Sequence, residues 1–325
     1  MTRRACGRLL LAGFLVLGAG EAALGGEAQP GAYAGKRVLH VDSYHRGNAW
    51  NDRIADAVAA TLAGTGVELE ILHMDTKRHD SEAFGREAAL KVKARIEVFR
   101  PDVVTTSDDN AAKYLIMEHY EDADLPFVFC GLNWDASIYG LPYRNVTGMV
   151  EVSPIPQLVG LLKSHARGPR LGYLAENTET KRKELEYHER LFGIRYDQVY
   201  LVDSFAQWRD AFLQAQDEVD ALLILGVAKV TDWNDAEAVR LAETATRIPT
   251  GTDFEWLMNV TMLGVAKSPE EQGRWAAKAA LKILDGVSPS QIPLAYNEEG
   301  KLLFNARIGA LVGVTDPPRL AELVR

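Results

Sequence analysis

The chain has 325 residues, is 47% hydrophobic and 25% charged, and carries a formal net charge of −9. That composition suits a globular protein of two ordinary domains and excludes a fibrous or low-complexity chain. The acidic balance argues against nucleic acid and anionic lipid as partners.

Three arginines in "MTRRACGR" precede the short apolar stretch "LLLAGFLVLGAG" and the small-residue ending "EAALGG". This order predicts a cleavable secretory signal peptide over residues 1–26, too short and wrongly flanked for a membrane span. Arg3 and Arg4 form a twin-arginine pair without the apolar residues that normally follow one. The Sec route is therefore expected, with the twin-arginine route left open. The expected product is a soluble periplasmic protein. Loss of the leader takes away three arginines, Glu21 and Cys6, which leaves a charge of −11 and Cys130 as the one cysteine. An intramolecular disulfide is then impossible.

From Lys36 onward, apolar runs alternate with amphipathic stretches. "RVLHVDS" reads as a strand, Ala49 to Ala63 as a helix and "VELEILHMD" as a second strand. Residues 81–99 place Phe84, Ala88, Val92, Ile96 and Phe99 on one helical face. "DVVTTSDD" is a third strand, "NAAKYLIMEHY" a helix, "PFVFCGLN" a fourth strand and "NVTGMVEV" a fifth. A helix near 154–166 restarts the rhythm: strand "RLGYLAEN", a charged helix over 179–192, strand "DQVYLVD", a helix over 205–219 and strand "DALLILGV". This alternation predicts α/β architecture with two doubly wound parallel-sheet lobes. No linker or low-complexity tract separates the runs, so a shared hinge is expected.

In open parallel sheets, ligands sit beyond the carboxyl ends of the strands. The loops there are "SYHRGNAW", "SDDNA", "CGLNWD", "AENTE" and "GVAKVTD". Hydroxyls, amides, carboxylates and aromatic rings collect in them, as a cleft between two facing lobes requires.

The segments "DSYHRGNAWND", "HMDTKR", "SDDNAAKYL", "LPFVFCGLN", "NVTG" and "KLLFNARIGALVG" resemble periplasmic solute-binding proteins of the ABC-transporter type with a type I fold. The likeness is strongest to a subgroup marked by SYH, a following Trp and MDTKR, often associated with sensor kinases. It covers nearly all of the chain after the leader. It implies a multi-crossover hinge, with lobe one at 36–148 plus about 260–288 (a returning helix near 268–286 among them). Lobe two is then 149–259 plus about 289–325. It also implies closure on a small organic solute, with aromatic amino acids among relatives' ligands.

Ser43 and the free N–H groups of the next helix suit a carboxylate. Tyr44 and Trp50 offer ring surface for clamping, although Trp50 also fits as a core residue. Asp108, Asp109 and Asn110 exceed what one helix cap needs, so one of them is a candidate for an ammonium or hydroxyl of the ligand. Asn133 and Trp134 are cleft candidates, with Cys130 read as buried strand. Thr147 matches a family segment and is placed within reach of ligand, with Gly148 beside it giving the hinge backbone freedom. Asn177 stands at a strand end of lobe two with Glu176 and Thr178, and the helix after it reads as a solvated face. In amino-acid-binding relatives an acidic residue near "PTGTDFEW" holds the ammonium. Asp253 matches it, with Phe254 and Trp256 as ring walls.

His73, Asp75, His79 and Asp80 lie close in sequence but match no metal-ligand spacing, and Lys77 and Arg78 are read as rim or hinge salt links. The sequons at Asn145 and Asn259 are set aside because bacterial export makes glycosylation a poor fit. No phosphate loop, nucleophile elbow or zinc motif appears, and no cofactor is expected. Three functions compete. They are delivery of solute to an ABC permease, presentation of the bound form to a membrane sensor, and a cleft enzyme using Cys130. The first ranks highest, with a monomeric receptor and no stable membrane insertion.

Overall fold

The computed structural model describes residues 31–230 and 232–324; the predicted leader lies outside the described residues. In chain order the elements are β1 (Arg37–Asp42), α1 (Ala49–Leu62), β2 (Glu68–His73), α2 (Glu82–Phe99), β3 (Val103–Ser107), α3 (Asp108–Ala111), β4 (Phe127–Asn133) and β5 (Val146–Glu151). The chain continues with α4 (Ile155–His165), β6 (Leu171–Glu176), α5 (Glu179–Phe192), β7 (Gln198–Val202), α6 (Phe205–Glu218), β8 (Ala221–Ile224), α7 (Asp235–Ala245) and β9 (Thr250–Thr252). It closes with β10 (Leu263–Lys267), α8 (Pro269–Leu284), β11 (Ala295–Tyr296), β12 (Gly300–Asn305), α9 (Ala306–Leu311) and β13 (Glu322–Val324).

Helix starts follow local capping chemistry. The side chains of Ser81, Thr178, Ser204, Asn234 and Ser268 each accept a backbone N–H from the first turn of the helix that follows. These residues satisfy donors that a helix cannot pair internally. The helix read over 110–120 starts two residues earlier, as α3, and continues as a π-helical turn over Ala112–Met117.

Six strands form the first sheet in the order β11-β5-β4-β3-β1-β2, all parallel. Seven form the second, β13-β12-β10-β9-β8-β6-β7, in which β10 and β12 pair antiparallel. Helix α8 packs along α1 and against β3, β4 and β5, so it returns to the first lobe. Buried apolar residues fill both lobes. Trp208 is wholly buried among Phe205, Phe212 and Trp233 in the second.

Among the described residues the chain therefore crosses between lobes three times, after β5, after β10 and after β11. Two edges differ from the sequence expectation. The segment from 260 to 267 carries β10 and belongs to the second sheet, while β11 belongs to the first. These assignments rest on pairing across the sheets, which local periodicity does not encode. The first crossing also comes later than Gly148. That residue lies within β5, and a Cβ there would sit 2.3 Å from the Phe129 ring. Gly148 is a packing glycine, needed for ring space.

Candidate functional site

Where the crossings meet, Lys267 at the end of β10 extends to Glu151 at the end of β5, with Nζ 2.5 Å from Oε1. The same ammonium lies 5.6 Å from the Trp50 ring centroid. Burial works against its charge, but Glu151 directly, and Asp253 and Glu184 from the second lobe, hold its pKa above the ordinary lysine value. Asp253 follows β9, is 8% exposed, and accepts a hydrogen bond from Ser153 Oγ at 2.6 Å. Its other oxygen, Oδ1, is buried without a hydrogen-bond partner. Lys181 binds Glu184 at 2.8 Å and lies 5.1 Å from the Phe254 ring centroid. Lys267, Asp253, Glu184 and Trp50 thus draw both lobes into one electrostatic group.

The tips of β1 and β3 are internally bonded. Ser43 is fully buried; its hydroxyl donates to the Ser107 carbonyl at 2.5 Å and accepts the Ala111 N–H at 2.8 Å. Asn51, at the start of α1, donates to Asp42 at 2.5 Å and also to Asp108. Asp42 in addition takes the Tyr44 N–H at 2.8 Å and the His73 ring at 3.1 Å. Asp108 is held at φ 66°, a left-handed conformation that Asp tolerates better than most residues. Burial raises its pKa well above the usual carboxyl range, Glu151, Asp42 and Asp109 add repulsion, and the Asn51 bond only partly opposes them. Burial also raises the Tyr44 phenol's pKa, with Asp108, Asp109 and Glu151 adding to it. Lys77 covers the Tyr44 ring at 4.7 Å. Asn110 donates to Thr76 Oγ1 at 2.8 Å, and Thr76 in turn binds the Ser43 carbonyl at 2.6 Å. The SYH and MDTKR segments are therefore one bonded unit.

A β-bulge in β4 between Phe129 and Leu132 shifts the strand's register against β5. Asn133 donates to Asp109 at 2.6 Å, and Tyr139 donates to the other oxygen of Asp109 at 3.0 Å. Trp134, at φ 61°, stacks on Tyr187 of α5 with centroids 5.4 Å apart and planes 3° off parallel. Beside it, Arg190 pairs with Asp135 at 2.7 Å and lies 4.7 Å from the Tyr187 ring centroid. Leu191 and Phe192 of α5 pack on the first lobe's core. A rim contact between the lobes results.

Asn133, Asp109 and Trp134 thus gather at the rim, and Tyr44, Trp50, Asp108 and Asp253 at the centre. Thr147 is elsewhere: it is buried within β5 and donates to the Ile292 carbonyl at 2.7 Å, which ties the segment leading into β11 to the first sheet. Asn177 donates to Asp203 at 3.1 Å and accepts from Arg182 on the second lobe's own loops. Trp256 is 49% exposed. Sequence reasoning passed over Glu151, Lys267, Tyr187 and Arg190. A charged residue ending an apolar strand was the available signal for the first two. The α5 residues were hidden within a run that reads as solvated surface. Of the histidine and aspartate group, Asp75 takes two bonds from Arg78, and His79 packs on Phe84. Cys130 is buried and its thiol pKa is raised, by burial first and then by Asp108, Glu151 and Asp42, which disfavours a thiolate nucleophile.

No protein-family model and no curated protein matches the sequence. Solved structures do. The ligand-free, open structure of CD0873, a substrate-binding protein with adhesive properties from Clostridium difficile, is 15% identical with a TM-score of 0.66 over 89% of this chain and 99% of that one. An ABC domain from Streptococcus pneumonia in complex with L-Trp is 16% identical, with a TM-score of 0.52 over 89% and 100% of the two chains. A periplasmic ribose ABC transporter protein from Conexibacter woesei is 14% identical, with a TM-score of 0.56 over 84% and 93%. Among the described residues no helix is long and apolar enough to cross a membrane. With two parallel-sheet lobes and three crossings, the chain has the type I periplasmic-binding fold.

Proposed function

We propose that this protein is an exported receptor that closes on a small, amino-acid-like organic solute and hands it to an ABC importer. One observation carries the reading. Asp253 presents a buried, unpartnered carboxylate oxygen where the lobes meet. A buried acceptor without a donor is costly, and a solute amine between the lobes supplies the donor. The fold, shared with substrate-binding proteins, supports the reading. Closure is the output a membrane partner distinguishes.

A second reading has its own support. The two segments that carry the sensor-associated likeness are bonded together at the first lobe's tip, where a docked membrane protein would detect closure. In that reading the solute-bound form signals and is not emptied. Catalysis by Cys130 has no support from its surroundings.

The test is a melting-temperature screen of the purified protein against amino acids, amines, purines, sugars and small acids. A solute at about 100 times its dissociation constant stabilises by about 2.7 kcal/mol. Asp253→Asn is expected to cut that shift to about half or less while the free protein melts as before. A full shift in the variant removes Asp253 from the site.

A further inference from the structure

We propose that the solute is an organic ammonium that carries no carboxylate. This rests on the receptor reading above, keeps its ammonium contact at Asp253 and sets aside the amino-acid carboxylate.

Donors suited to an anion are committed inside the protein. The Ser43 hydroxyl makes two bonds at the base of α3. Asp109, in the first turn of the short α3, repels an anion. Lys267 is bound to Glu151 and Lys181 to Glu184. The amides of Asn133 and Asn110 serve Asp109 and Thr76. Lys77 lies over the Tyr44 ring on the exposed rim. At the third crossing Asn297 Nδ2 is a buried donor without a partner, but it is neutral.

Acceptors show the opposite. Asp253 Oδ1 is buried and unpartnered on the second lobe, and Asn51 Oδ1, between Asp42 and Asp108, is unpartnered on the first. The rings nearby already face cations. Lys267 lies by Trp50 and Lys181 by Phe254, so neither ring is free to draw in a carboxylate's counter-cation. A carboxylate in this group would meet Glu151, Glu184 and Asp253 with no free cation to answer it, and burial would magnify the repulsion.

Titration calorimetry on matched pairs tests this: tyramine against tyrosine, tryptamine against tryptophan, and cadaverine against lysine. At least one amine is expected to bind roughly 100-fold more tightly than its parent amino acid, the scale of one charge-assisted bond kept against one buried charge left unpaired. Asp253→Asn should weaken that amine by roughly tenfold or more while the variant's melting temperature holds, which separates ligand contact from misfolding. An amino acid that binds as tightly as its amine, or better, overturns the inference and leaves the receptor reading standing. Silence from all three pairs also overturns it, and the receptor reading is then decided by the wider solute screen.

Discussion

Asp108 shows how far a buried group departs from its ordinary chemistry. Folding moves its carboxyl beside Asn51 and Asp42, out of water and near Glu151. The folded state therefore keeps the Asp108 proton to a higher pH than the unfolded chain does. Across that interval the folded state binds more protons, so this group's contribution to stability is present in acid and is lost as pH rises. Asp108→Asn fixes the neutral form, and Asn accepts the left-handed φ of 66°. The variant should unfold at higher urea than the parent at pH 8 and match it at pH 4; equal midpoints at both pH values would show that Asp108 is ionised without cost. Gly148 makes a second test at this scale. Gly148→Ala forces a methyl into the Phe129 ring and should cost about 1–3 kcal/mol by overpacking, with lobe closure unchanged. Phe129→Leu in the same chain should recover part of the loss. A change in closure with no loss of stability would restore the hinge role read from the sequence.

Among the elements, α5 carries the clearest departure from its sequence pattern. Its Glu179–Lys183 pair is the i,i+4 surface pair that the charged run suggests. Tyr187, Arg190, Leu191 and Phe192 nevertheless turn to the other lobe. The ring stack is worth about 0.5–1.5 kcal/mol, and the half-exposed ion pair about 0.2–1 kcal/mol. Together these are too small to lock the lobes, so they bias closure. Tyr187→Ala should weaken solute binding by about threefold to tenfold and raise the open fraction of the free protein, read as a larger radius of gyration in solution scattering. Arg190→Ala should act in the same direction, and its effect should vanish at high salt. Unchanged affinity in both variants would make the rim contact incidental. His188, beside this contact, is pushed down to about 3 by burial, with Lys181 adding to it. It therefore stays neutral across physiological pH and gives closure no histidine switch.

Over the whole molecule, the alternation of strands and helices was legible because burial imposes periods of two and 3.6 on the side chains. The positions of Tyr44, Trp50, Asp108 and Asp253 at strand tips followed from that order. What stayed hidden was long-range. Whether β10 or β11 joins one sheet or the other depends on pairing partners far along the chain. Ser43 read as a free hydroxyl because its partners, Ser107 and Ala111, lie more than sixty positions away. Lys267 gained meaning only when the second crossing brought it to Glu151.

On the proposed function, the lobes move together over a solute held at Asp253. Lys91 on α2 and Asp210 on α6 are exposed and lie on different lobes, while the thiol of Cys130 is buried from labelling reagents. Spin labels on Lys91→Cys and Asp210→Cys allow the interlobe distance to be measured by dipolar spectroscopy with and without a solute that calorimetry shows to bind. A broad distribution is expected in the free protein, narrowing to its shortest component on saturation, with no narrowing once Asp253→Asn is added. The same distribution with and without bound solute would contradict it.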